Sequence, residues 1–131
     1  MLSKAVLGIS GLIFTLYGLA CLFQPELLTQ YAGLAFISGD AAIEVSAMYG
    51  GLQTGFGLLC LLGAIQPAYT RFALLAMVFA IGGIAVGRAI GLLISPEVPG
   101  DYTWGALVYE TITVSLAFWC WRATRNAAQP A

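Results

Sequence analysis

The sequence predicts an all-α fold, an integral membrane four-helix bundle, and three observations predict it. Of 131 residues, 60% are hydrophobic and only 8% are charged, with no histidine. Soluble domains carry about a quarter charged residues, and a chain this apolar could not cover its own surface in water. The apolar residues fall into four runs of spanning length, separated by short clusters of proline, glycine and acid. In lipid the backbone must satisfy its own polar groups, and runs of this length do so as helices. The net charge of −1 excludes a polybasic nucleic-acid binder and an acidic tail alike. One domain over residues 1–131 is expected.

Span one is predicted over 4–23 and carries no charge after Lys4. Gly8, Gly11, Thr15 and Gly18 recur at helical spacing and give one face of small residues, which lets another backbone approach closely. Lys4 ahead of an apolar run is also how a signal peptide begins. Residues 18–25 make a poor cleavage site, however, and the run is long enough to span, so a retained helix is expected. Lipoprotein processing at Cys21 would remove the whole helix. Pro25 ends the span by pushing Gln24 out of helical geometry. A short interfacial helix is expected within 25–36, where Leu27, Leu28, Tyr31 and Leu34 could lie along the membrane boundary.

Span two is predicted over 41–65, with Asp40 as its N-cap and the pair Gln66 and Pro67 as its end. Span three follows over 70–94, with Gly83, Gly87 and Gly91 spaced four apart. A polar turn containing Pro96 and Pro99 leads to span four over 102–121, bracketed by Trp104, Trp119 and Trp121. With four spans, Lys4, Arg71, Arg122 and Arg125 share one side, while Glu26, Asp40, Glu97 and Asp101 share the other. The positive-inside rule then places both termini in the cytoplasm and the chain in an inner membrane.

Three ionisable residues fall inside spans: Glu44, Arg88 and Glu110. A rise of about 1.5 Å per residue places them roughly 6, 10 and 12 Å below the same, non-cytoplasmic, face. An unpaired charge there costs several kcal/mol, and an arginine fork between two carboxylates would offset much of it. Arg88 is therefore expected to bridge Glu44 and Glu110, with Tyr49, Tyr109, Thr111 or Thr113 as hydroxyl partners. Two acids and one base leave one surplus negative charge, which calls for a spare proton or a bound cation. The alternative is a staple that fixes which helices touch and does no chemistry.

Glu44, Met48, Gly51, Gly55 and Leu58 share one face of span two. Gly51 and Gly55 form a GxxxG spacing, read first as close packing within the chain and second as a cleft or a dimer seam. Gly83, Gly87 and Gly91 are read as helix-packing residues in the same way. Gln53 lies on the opposite face, where an amide more often bonds a neighbouring helix than a substrate. Cys21, Cys60 and Cys120 form no CxxC pair and read as small core fillers. Phosphate loops, hydrolase triads and metal-ligand spacings are absent, so no cofactor, no metal and no catalytic residue is assigned.

Ser38, Gly39 and Asp40, Glu44, the run Ala-Met-Tyr-Gly-Gly-Leu-Gln at 47–53, Gly55, Gly87 with Arg88, and Glu110 together resemble a family of small bacterial four-helix membrane proteins known as a domain of unknown function. The resemblance covers nearly the whole chain. Such relatives often carry a basic residue two after the acid, where this chain has Ser46, so a charge balance argued for them need not transfer. It implies the fold and brings no catalytic residues.

The leading expectation is a structural or accessory component of a membrane assembly, associated with the bilayer and with itself or a larger complex, and not with nucleic acid. The rivals are a proton- or cation-coupled transporter of a small amphiphile and a membrane enzyme acting on a lipid-like substrate. The candidate ligand or proton site is Glu44, Arg88, Glu110, Tyr49 and Gln53. An enzyme would need a cavity of roughly 300 Å³ or more beside the acids.

Overall fold

The structure is a computed structural model and describes residues 1–126; the side chain of Arg125, part of the charge balance above, lies outside the described residues. Helix α1 (Leu2–Phe23) is followed by one helical turn, α2 (Leu27–Tyr31). A long helix then runs from Gly39 to Ile65 in three parts: α3 (Gly39–Val45), a π-helical segment (Ser46–Gly51) and α4 (Leu52–Ile65). Helices α5 (Pro67–Ile94) and α6 (Asp101–Asn126) complete the bundle. The expected four long helices and the short one after the first are all present.

Local chemistry explains where the helices start. Ser38, rather than Asp40, caps α3: its Oγ accepts from the Ala41 amide at 3.2 Å, leaving Asp40 in the first turn. Pro67 opens α5 at a position where its missing N–H has no partner to lose. The third helix therefore begins three residues earlier than 70. Thr70 ties the tight connection by donating to the Gly63 carbonyl at 2.7 Å.

Three helices are long and apolar enough to cross a membrane: Leu2–Phe23, Gly39–Ile65 and Pro67–Ile94. The expected fourth span, α6, has 26 residues but falls short in apolar character. The reason lies in Glu110, Thr111, Thr113 and Ser115. Two of these face inward, Glu110 and Thr113 being buried. Thr111 and Ser115 return their hydroxyls to their own helix, onto the carbonyls of Leu107 and Thr111, each at 2.7 Å.

The helices pack chiefly as α1 on α4 and α5 on α6, joined through α4 and α5. Where α1 meets the second long helix the backbones touch. A Cβ on Gly18 would lie 2.5 Å from the Thr54 backbone nitrogen, and one on Gly57 would lie 2.5 Å from the Thr15 nitrogen. A Cβ on Gly50 would lie 2.7 Å from the Leu22 Cα. The small-residue face expected on α1 is thus the contact face. On the second helix and on α5 the expectation of packing within the chain is corrected. A Cβ added to Gly55, Gly83, Gly87 or Gly91 would meet nothing within 4 Å, and one on Gly51 would meet only the Ser46 carbonyl oxygen of its own helix at 3.9 Å. Glu44, Met48, Gly51, Gly55 and Leu58 do share a face, but that face is exposed, because Gly50 and Gly57 turn the other side towards α1.

The packed core lies towards one end, built from Leu7 and Phe14 of α1, Cys60 of α4, Leu74, Met77 and Ile81 of α5, and Ala117 and Cys120 of α6. All three cysteines are buried and unbonded, two of them within this core, as small fillers. Beyond Phe14 the arrangement changes. The π-helical segment keeps to α1, so the second helix and α5 share their main contact only in their α4 half.

Replacing Gly57 with alanine should destabilise the protein by about 1–3 kcal/mol through forced separation of the two backbones. The Gly55→Ala change should be neutral or stabilise by up to about 1 kcal/mol, since only helix propensity changes. Thermal unfolding of the two variants in detergent distinguishes the packing stripe from the exposed one.

Candidate functional site

Arg88 on α5 and Glu110 on α6 meet in the less packed half of the bundle. Arg88 Nε donates to Glu110 Oε1 and Oε2 at 3.1 and 3.0 Å, and Nη2 donates to Oε1 at 2.7 Å. Both carboxylate oxygens are engaged by one planar fork, the strongest form of ion pair available to side chains. The glutamate side chain is 7% exposed and the arginine side chain 23%. What another molecule could reach of this pair is therefore mainly the guanidinium, whose Nη1 donates to no group among the described residues. The Tyr102 ring lies 6.0 Å from the guanidinium carbon, within cation–π range.

The common depth expected of Arg88 and Glu110 is realised as direct contact. Glu44 does not join them. Its side chain is exposed on α3, which continues into the π-helical segment as part of one helix, and it forms no ion pair among the described residues. The expected cluster of three charges is thus a pair, and its surplus negative charge disappears. None of Tyr49, Tyr109, Thr111 or Thr113 bonds to the pair among the described residues; the Tyr109 hydroxyl is buried without a partner there.

Beside the pair lies a cavity of about 510 Å³. All four long helices line it: Phe14 and Tyr17 from α1, Tyr49 and Gln53 from the second helix, Arg88 from α5, Tyr109 and Glu110 from α6. Tyr49, Gln53, Arg88 and Glu110 are thereby brought together, and Glu44 alone of the candidate site residues is left outside. Met48, Leu52, Ile84 and Ala106 supply apolar wall. Phe14 stands between cavity and core, edge-on to Phe56 at 5.2 Å and tilted against Tyr109 at 6.4 Å.

Tyr17 and Tyr102, whose hydroxyls lie 3.4 Å apart, line this cavity and also a smaller apolar one of about 250 Å³ beneath α2. Sequence reasoning missed both tyrosines. A signal for Tyr17 was present, since Phe14, Tyr17 and Cys21 recur at helical spacing beside the small-residue stripe of α1. Among the described residues no three histidine, cysteine, aspartate or glutamate side chains gather where a metal could be held.

A family model described as a domain of unknown function, DUF4345, matches residues 2–121, and the chain belongs to that family. No curated protein and no solved structure matches it.

Glu110→Gln should cost about 3 kcal/mol, because it strands a partly buried guanidinium. Pairing it with Arg88→Gln should recover part of that loss, the coupling being about 0.5–3 kcal/mol. Glu44→Gln should leave the unfolding midpoint unchanged. Equilibrium unfolding in detergent of the wild type, these three variants and Arg88→Gln alone checks the pair against a cluster of three.

Proposed function

We propose that this chain is a small integral membrane protein that holds one lipid-like molecule in the cavity beside Arg88, as an accessory component of a membrane and not as a catalyst. The observation that carries the reading is the cavity itself. At about 510 Å³ it falls within the roughly 300–1,000 Å³ of small-molecule sites, and its walls are mostly apolar, with the bonded Arg88 and Glu110 as their charged groups.

Membrane insertion is supported by the outward faces. Leu16, Phe72, Phe79 and Leu93 are 64%, 60%, 73% and 85% exposed, a surface that water would not tolerate over such lengths. Helix α6 fits the same reading despite its polar residues, since Val108, Ile112 and Trp119 are exposed while Glu110 and Thr113 face inward. We read four spans in an inner membrane, with α2 along the interface and both termini cytoplasmic. Lys4, Arg71 and Arg122 at one end and Glu26, Asp40, Glu97 and Asp101 at the other support that orientation. The glycine faces left without a neighbour, Gly51 with Gly55 and Gly83 with Gly87 and Gly91, support association with a further helix.

Proton or cation coupling draws no support from the charges. Among the described residues the acid lining this cavity, Glu110, is bonded to Arg88 through both of its oxygens, so the two are neutral as a unit. The same engagement leaves no free general base there for an enzyme.

The protein purified in mild detergent should carry about one amphiphile per chain, visible by native mass spectrometry. Ala106→Trp, which fills the cavity from α6, should remove that ligand without lowering helicity. Undiminished retention by this variant would place the ligand elsewhere. A reporter active only in the cytoplasm, fused to the C-terminus, should be active; an inactive reporter would reverse the orientation.

A further inference from the structure

A second cavity of about 280 Å³ shares Arg88 with the first. Its other polar lining residues, Ser95, Glu97 and Thr103, lie in or beside the connection between α5 and α6. Glu97 is exposed; its backbone amide donates to Ser95 Oγ at 3.2 Å, and its carboxylate forms no ion pair among the described residues. One small chamber is therefore lined by a carboxylate without a cationic partner and by a guanidinium with an unengaged Nη1. These two valences have opposite sign.

Their order along the fold is informative. Glu97 lies in the polar connection, Arg88 lines both chambers, and the large, mostly apolar cavity extends from Tyr102 and Arg88 to Phe14. A zwitterionic phospholipid has the same order: an ammonium outermost, a phosphate next, then acyl chains. An anionic headgroup would satisfy Arg88 but meet Glu97 as a like charge, and a headgroup without phosphate would leave Nη1 unanswered. Glu110 already neutralises Arg88, so a headgroup with no net charge matches the site better than an anion does.

We infer that the occupant is a zwitterionic phospholipid, its ammonium at Glu97, its phosphate accepting from Arg88 Nη1, and an acyl chain in the main cavity. The inference rests on the cavity reading above and assigns the headgroup that reading leaves open. Glu97 selects the headgroup, Arg88 holds the phosphate, and Met48, Leu52 and Ile84 line the path of the chain.

The test uses the full chain reconstituted in bilayers of equal phosphatidylethanolamine and phosphatidylglycerol, extracted in mild detergent and weighed by native mass spectrometry. The wild type should retain phosphatidylethanolamine over phosphatidylglycerol by about two- to five-fold, the range expected of one exposed ion pair. Glu97→Gln should bring the ratio to about one, and Glu97→Lys should invert it, with unchanged thermal midpoints because Glu97 lies in an exposed connection. Ala106→Trp should remove both lipids. Lipid retained without headgroup preference, or a preference that Glu97→Gln leaves intact, would overturn the headgroup assignment while the cavity reading stands. A wild type that retains no lipid would overturn both.

Discussion

The contact between α1 and the second long helix, where the backbones at Gly11 and Gly18 approach those at Gly50 and Gly57 with the Thr15, Thr54 and Leu61 side chains packed alongside, sets the positions of the other elements. For the membrane setting proposed above, apolar side chains gain nothing by leaving their surroundings, and helices associate through close van der Waals packing. Small residues on both partners maximise that gain. The second helix is thereby committed to α1 along both its α4 and π-helical parts. The short connection at Gln66 brings α5 back beside α4, where Gly63 lies against Ala73. Nothing comparable draws α5 towards the π-helical segment, and the cavity occupies the space left between them.

In this less packed half, the Arg88 and Glu110 pair links α5 to α6. A buried ion pair is a weak source of net stability but a strong constraint on register, because a misaligned partner leaves a charge stranded in an apolar medium. Its neutrality also defines the character of the site. With Glu44 on the exposed face, the cavity presents a satisfied carboxylate and a partly free guanidinium, and so offers hydrogen-bond donors to whatever enters.

Much of the fold was legible because long apolar helices obey simple rules. Span lengths, proline breaks and the small-residue stripe of α1 each follow from one physical requirement, and the helices appear within a few residues of their expected places. Depth counting also found Arg88 and Glu110, since both lie on regular helices anchored at the same polar connection. It failed for Glu44 because equal depth does not fix direction around a helix axis. The second helix carries glycine on two sides, and composition does not say which side faces α1; the GxxxG spacing of Gly51 and Gly55 was the more familiar, but Gly50 and Gly57 are the glycines that face α1. The cavity depends on Tyr17 and Tyr102 meeting across 85 positions of sequence, a pairing that no local pattern records.

The π-helical segment at Ser46–Gly51 gives the cavity wall a dependence on chain length. A π turn accommodates one residue more than an α turn closes over. Met48 and Tyr49, both on the wall, are carried by that widened stretch. Deleting a single residue there would let the helix wind regularly, with α3 and α4 keeping nearly the same relative orientation because the tighter turn takes up the lost residue, and would withdraw the widened stretch from the cavity wall. The shape of the chamber is in this sense encoded by a count of residues as much as by their identity, and loss of one codon would redraw it while every remaining side chain stayed the same.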